Sequence, residues 1–457
     1  MRKILLTLAL SLLAVYAVDA QKKTVKYNQY GVAVESDVLD VEAQDGILVL
    51  ESPKSNYKIW YDSRIQADGS AFFGAPDYAD PIGNGTSIRR ARFAVKAQID
   101  DKWYGEFDMD LANGLVELKD AIVRYTGIAN TDLQVGNFKE FFSIQRNTTS
   151  RYLQFMERPM ACSAFAPSRH LGINAKYAKN FIWFSTGLFT QKVAGIEEWE
   201  NVADNNKDFG RNAGFSWTTK LVLRPLYKLD NASLHLGAAY SYRTTTTDLA
   251  TGEWGTYRAS ARNSTNINRK KYLDTNNLPG FDHNNLWTVE LAGHWNGLRY
   301  EAAYIGDNVH FKSDAADPAT KNFHGWYAQA GYLLFGGRQQ YDSKGGKYTK
   351  VDRGNSKFGD LELCARYENC DLNDGGVYGG ASEAYALGLN WYVNDNVKIM
   401  LNYQYNNNDR YANGKGKLNV GKDASGAPTK DYTKIVTPAG KAGVDYHMLA
   451  VRFEIDF

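Results

Sequence analysis

The sequence predicts an all-β protein: a transmembrane antiparallel β-barrel of about 16 strands, with short periplasmic turns and long outer loops. Three observations predict it. In the final segment, Tyr446 to Phe457, residues Leu449, Val451, Phe453, Ile455 and Phe457 share one parity, and Met448, Ala450, Arg452, Glu454 and Asp456 share the other. A strand there shows one apolar and one polar face. With an aromatic last residue, it suits a lipid-facing wall around a polar lumen better than the edge of a soluble sandwich. At the other end, Met1-Arg2-Lys3, the apolar run Ile4 to Val18 and the small residues before Gln21 read as a signal peptide over residues 1–20, so the mature chain is expected to leave the cytoplasm. That run is shorter than the roughly 20 residues of a spanning helix. Beyond it no long apolar segment follows, and the mean hydropathy is −0.47. The expected location is the bacterial outer membrane.

Residues 21–56 form a mixed, partly acidic segment expected in the periplasm, with the apolar stretch Gly46 to Leu50 against the rim. The barrel is expected over 57–457. Its first strand, Tyr57 to Asp68, sets Tyr57, Ile59, Tyr61 and Ile65 on one face and Lys58, Asp62, Arg64, Gln66 and Asp68 on the other. The same alternation marks Thr86 to Ile99, Trp103 to Leu111, Glu117 to Thr126, Asp132 to Asn137, Leu171 to Tyr177, Phe181 to Thr190, Ala213 to Arg224 and Ala232 to Arg243. It recurs over Leu286 to Trp295, Leu298 to Gly306, His324 to Phe335, Phe358 to Glu368, Glu383 to Val393, Val397 to Asn406 and His447 to Phe457. Tight connections such as Asp100-Asp101, Asn296-Gly297 and Asn394 to Asn396 alternate with long ones such as Phe138 to His170, Thr244 to Asn285 and Asn407 to Tyr446. One connection, Gly336 to Lys357, is long where a short periplasmic turn is due, so either that turn is elaborated or a strand pair lies within it.

Composition removes several function classes. The net charge is +2, of which Arg2 and Lys3 against Asp19 leave +1 after the signal peptide, and this speaks against a nucleic-acid partner. Tyr 30, Phe 21 and Trp 10 are enough for two interfacial girdles. Of the three cysteines, Cys162, Cys364 and Cys370, the last two lie about 20 Å apart along one strand and cannot bridge. No HExxH, GxSxG, CxxC or phosphate-loop motif occurs, and His235 and His294 point into the lumen by parity, so no enzyme and no cofactor are expected. No loop spaces oxygen ligands as a calcium site does, so no metal is expected either.

The segments "YKIWYDSRIQAD", "RRARFAVKAQIDDKWYGEFDMDLANG", "ELKDAIVRY", "VGNFKEFFSI", "FGDLELCARYENCDLND" and "LGLNWYVNDNVKIMLNYQY" resemble, in order, the blocks of the phosphate-selective porin O and P family, from about residue 46 to Phe457. The resemblance implies a 16-stranded homotrimeric barrel in outer-membrane lipid that passes small anions by diffusion, with a third outer loop folded into the pore. It carries phosphate-site character to Arg64, Arg90 and Lys139, then to Arg151 and Arg158.

Parity places Arg64, Arg90, Arg92, Lys96 and Arg124 in the lumen, and leaves Arg89 on the opposite face, where it snorkels to the interface. The third loop adds Lys139, Arg146, Arg151, Arg158 and Arg169 against Glu140 and Glu157, and Arg243 begins a candidate outer ladder with the basic residues of the 244–285 loop. Glu106, Asp108 and Asp110 face inward beside the Arg-rich strand, where cross-strand pairs neutralise part of its charge. The sequence therefore favours a general or modestly anion-preferring pore over a tight phosphate channel. The alternative is a ligand-binding or structural barrel, an adhesin or uptake partner, without an open pore.

Overall fold

The computed structural model describes residues 26–457, apart from 35–38, 45–46, 55, 113, 115, 191–210, 250–251, 253–254, 355, 410–416 and 437–441. The signal peptide lies outside the described residues. Sixteen antiparallel strands close a barrel. They are β1 (Tyr57–Phe73), β2 (Gly85–Ile99), β3 (Trp103–Asp110), β4 (Glu117–Ile128), β5 (Thr131–Lys139), β6 (Arg169–Lys179), β7 (Ile182–Phe189) and β8 (Ser216–Leu223), followed by β9 (Ala232–Thr244), β10 (Phe281–Trp295), β11 (Leu298–Phe311), β12 (Lys321–Leu333), β13 (Asp360–Asp374), β14 (Val377–Tyr392), β15 (Val397–Asn408) and β16 (Tyr446–Asp456). Each meets its sequence neighbour, and β16 closes on β1 with Ile455 opposite Ile65 and Arg452 opposite Asp68. Below that seam a hairpin, Asp40–Gln44 with Ile47–Ser52, pairs with the first residues of β1.

Closure satisfies the backbone hydrogen bonds that lipid cannot. The side chains sort as the parity predicts: Leu449, Phe453 and Ile455 are exposed, while Met448, Ala450, Arg452 and Glu454 are buried toward the lumen. Aromatic pairs mark both rims, Trp103 on Tyr125 at the short-turn end and Tyr367 on Tyr385 toward the long loops. The tight turns are made by residues that tolerate positive φ: Asp100 and Asp101 at 51°, Asn130 at 59°, Asn180 at 50° and Asn296 at 50°.

Three insertions fill much of the lumen. The third outer loop, residues 140–168, packs Phe142, Met160, Ala161 and Phe165 against Leu286, Ile305, Val309 and Phe323 of the wall. The fifth, residues 245–280, adds Tyr257, Leu273 and Leu278 to the same core. It is therefore no merely solvated loop: Arg258 binds Asp274, and Lys270 reaches the Pro81 carbonyl. The third insertion is the long turn between β12 and β13, residues 334–359. Among its described residues it holds no extra barrel strands but an inward-turned pair, Tyr341–Asp342 with Lys347–Tyr348. Buried Tyr348 donates to the carbonyls of Gly293 at 2.7 Å and Tyr300 at 2.9 Å under the Arg299 guanidinium, 3.7 Å from the ring centre. Trp183 Nε1 donates to the Lys344 carbonyl at 3.0 Å.

Because residues 338–352 belong to no barrel strand, replacing them by Asn-Gly should leave the barrel able to fold and raise its conductance by about twofold or more. Heat-modifiable gel migration and single-channel recording check this, and loss of the folded form would contradict it.

Candidate functional site

The insertions leave a cavity of about 960 Å³ on one side of the lumen, walled by β1–β6, the third loop and the inward-turned pair. On the other side of that turn lies a slit of about 30 Å³, lined by Arg151, Lys350, Arg353, Tyr392 and Lys398, and a separate cavity of about 850 Å³ is lined by Ser382, Glu383, Tyr405 and Asn407 of β14 and β15. The large cavity reaches the short-turn end at Asp101 and Asn130.

The sheet register builds its charged wall. Inward residues recur every second position, so β2 presents Arg92 and Lys96, β3 Glu106 and Asp108, and β4 Asp120 and Arg124. Arg64 stands directly opposite Arg92, and Lys139 directly opposite Arg169. Like charges facing across a ladder destabilise it unless other groups answer them. For Arg92 and Arg169 the answer is present. Arg92 lies 3.3 Å from Asp108 and 3.2 Å from Asp110, and Arg169 grips Asp120, with Nε 2.9 Å from one oxygen. Lys96 and Arg151 share Asp62, and Lys176 pairs with Asp132.

Five basic residues on the cavity have no carboxylate within salt-bridge distance among the described residues: Arg64, Arg124, Lys139, Lys344 and Lys347. Arg64 donates to Thr149 Oγ1 at 3.2 Å, and its Nε has no partner. Arg124 donates to Gln134 Oε1 at 2.8 Å and lies over the Tyr104 ring. Burial lowers the Lys347 pKa, and Lys176 and Arg124 lower it further against Asp342. Beside these cations the Asn147 amide is buried with neither its oxygen nor its nitrogen bonded.

Of the residues singled out in the sequence, Arg64, Arg92, Lys96, Arg124, Lys139, Arg151, Arg169, Glu106 and Asp108 meet on this cavity. Five do not reach it. Arg90 is buried on Gln66 and near Glu157, because the third loop covers it. Arg146 and Arg158 point back into their own loop, Arg146 to the carbonyls of Cys162 and Ala166, Arg158 to those of Gln145 and Thr148. Arg243 is spent on Glu140, and Asp110 on Arg92 and the backbone N–H groups of Ala91 and Ala112. Arg89 also departs from its expected side. A bulge in β2 pairs Gln66 with Arg90 and Ala67 with Ile88, which turns Arg89 inward onto Glu157 at 2.6 Å. Sequence reasoning missed Lys344 and Lys347, since only the direction of a 26-residue turn brings them in. It also missed the closeness of Glu106, Asp108 and Asp120, whose oxygens lie within 4.8 Å of one another. Arg92 and Arg169 already answer Asp108 and Asp120, and Glu106 takes the Tyr104 hydroxyl and lies 3.9 Å from Lys96.

A closed barrel with a polar, partly filled lumen and a charged water-accessible cavity defines a porin, a diffusion channel of the bacterial outer membrane. The chain belongs to the phosphate-selective porin O and P family, which its residues 59–427 match. It is 26% identical to Porin O of Pseudomonas aeruginosa over 433 residues, 88% of this chain and 95% of that one. It is 29% identical to an uncharacterized protein of Caulobacter vibrioides over 332 residues, 70% of this chain but 63% of the length of that protein. In fold it is similar to a loop L8 deletion mutant of OmpT, an outer membrane protein of Vibrio cholerae, with a TM-score of 0.50 at 10% identity over 87% of this chain and 99% of that one.

On the opposite wall, buried Glu290 accepts from Lys220, from His235 Nε2 at 3.3 Å and from the backbone N–H of Ile144 at 2.6 Å. Lys220→Met strands that carboxylate, and the expected loss is about 3–5 kcal/mol. Urea unfolding of the refolded barrel measures it, and a Lys220→Met/Glu290→Gln double variant should recover part of the loss.

Proposed function

We propose that this porin passes small hydrophilic solutes with a preference for anions, phosphate among them. One observation carries the reading. The acids on the cavity are mostly committed to partners, whereas Arg64, Arg124, Lys139, Lys344 and Lys347 have no carboxylate within salt-bridge distance among the described residues. Ten basic side chains line it against seven acidic ones, so the excess is local in a chain of net charge +2. Guanidinium and ammonium groups replace part of an anion's hydration with charge-assisted bonds, and isolated cations hold it loosely enough for release. The acidic trio on the same wall keeps the preference moderate. The family description supports phosphate as a solute. The same reading includes a homotrimer in outer-membrane lipid and a periplasmic position for residues 21–56.

The cations at the two like-charged pairings matter most. Arg64→Gln with Lys139→Gln should move the zero-current potential under a KCl gradient toward zero, without loss of the heat-modifiable folded form. A potential equal to that of the unaltered protein would overturn the assignment, and absence of any current would favour a ligand-binding barrel.

A further inference from the structure

The third loop places one carboxylate where an anion would otherwise sit. Glu157 meets Arg89 through two parallel bonds, Nε to Oε1 at 2.6 Å and NH2 to Oε2 at 3.0 Å. Arg452 NH2 donates to Oε1 at 3.0 Å, and Arg90 NH2 lies 3.9 Å from Oε2. Three guanidinium groups thus converge on one carboxylate. The β2 bulge makes this possible by turning consecutive residues Arg89 and Arg90 to the same side. The loop backbone is held there independently of the carboxylate: Arg366 donates to the Glu157 carbonyl at 2.9 Å and Arg452 to that of Met156 at 2.5 Å.

We propose that Glu157 is a tethered counter-ion that sets the strength of anion selectivity, occupying with its two oxygens the position where a free tetrahedral oxyanion would meet Arg89, Arg90 and Arg452. The inference rests on the anion-preferring reading of the pore. Arg90 lies two residues from Arg92 on the same face of β2, roughly 7 Å at the usual strand rise, so the cluster adjoins the upper wall of the cavity. Arg89 keeps 26% of its side chain exposed, which leaves the cluster reachable from water. Asp68 satisfies two donors of Arg452 at 2.7 Å each. Removing the Glu157 charge therefore leaves Arg89 and Arg90 as the uncompensated pair. Burial alone would raise the Glu157 carboxyl, but Arg89, Arg90 and Arg452 outweigh it and hold it well below the usual range. Acidification does not open the cluster, and substitution does.

The test is inorganic phosphate titrated against chloride current through single refolded channels. In Glu157→Gln, which keeps the loop's backbone bonds, the half-blocking phosphate concentration should fall by about tenfold, the effect of exposing charge-assisted donors, and the KCl zero-current potential should move further toward that of chloride. An added Arg89→Gln should abolish the gain. Block and potential unchanged in Glu157→Gln, or a gain that survives the loss of Arg89, overturns the proposal. Should Glu157→Gln fail to give the folded form, Glu157→Ser carries the same readout. An unaltered channel without anion preference, beside a Glu157→Gln channel that gains block, sinks the general reading and leaves the role of Glu157 standing. An anion-preferring channel unaffected by the substitution does the reverse.

Discussion

Folding 29 residues of loop into the middle of a barrel is limited by one requirement: the loop backbone must find partners there. The wall provides them with side chains. Glu290, Asn402 and Glu368 accept from the N–H groups of Ile144, Met156 and Met160. Arg299, Lys398, Arg452 and Arg366 donate to the carbonyls of Tyr152, Arg151, Met156 and Glu157. Asn390 donates likewise to the carbonyl of Gln154, and since an unmet buried group costs about 1–3 kcal/mol, these contacts together hold the loop in. With the loop fixed, the cavity of about 960 Å³ lies between the loop and β1–β6.

The same contacts explain why so many charges in this lumen are held by protein partners. A buried ion pair contributes little net stability, because desolvation offsets most of the attraction, but losing one partner is expensive. Arg299, Arg366, Lys398 and Arg452 are therefore committed to holding structure. The inward-turned pair of residues 341–348 is anchored in the same way, by Trp183, Arg224 and Tyr348. The cations left without a carboxylate, Arg64, Arg124, Lys139, Lys344 and Lys347, lie on the cavity between the third loop, the inward-turned pair and β1–β6.

Strand alternation made the barrel readable, since a lipid-facing residue must be apolar at every second position over the bilayer span. Each strand contains or overlaps the segment read from parity, and most of the discrepancy lies at the outer ends, where β10 begins at Phe281 instead of Leu286 and β13 runs on to Asp374 instead of Glu368. Beyond the bilayer both faces of a hairpin are wet, so the alternation that signals a strand stops before the strand does. Arg64, Lys139 and Arg169 were legible because parity or loop position places them. Arg90 and Arg89 were not, because one bulged residue shifts the register locally and the loop that covers Arg90 leaves no periodic trace. Lys344 and Lys347 carried no signal at all, since a long polar turn reads the same whether it hangs outward or folds in.

Weak binding is what makes such a cavity a path and not a trap. A site whose cations were all free would hold a dianion through several charge-assisted bonds at once, and release would limit the flux. Here two of the cations without a carboxylate have an ion-paired neighbour: Arg64 faces Arg92, and Lys139 faces Arg169. On the anion-preferring reading, an incoming anion would compete with Asp108 or Asp110 for Arg92 and with Asp120 for Arg169, and those carboxylates would reclaim the guanidinium as the anion moved on. The acidic residues on β3 and β4 thus do more than dilute the positive charge. On the anion-preferring reading they would return each of these two pairs to its resting arrangement after an ion has passed.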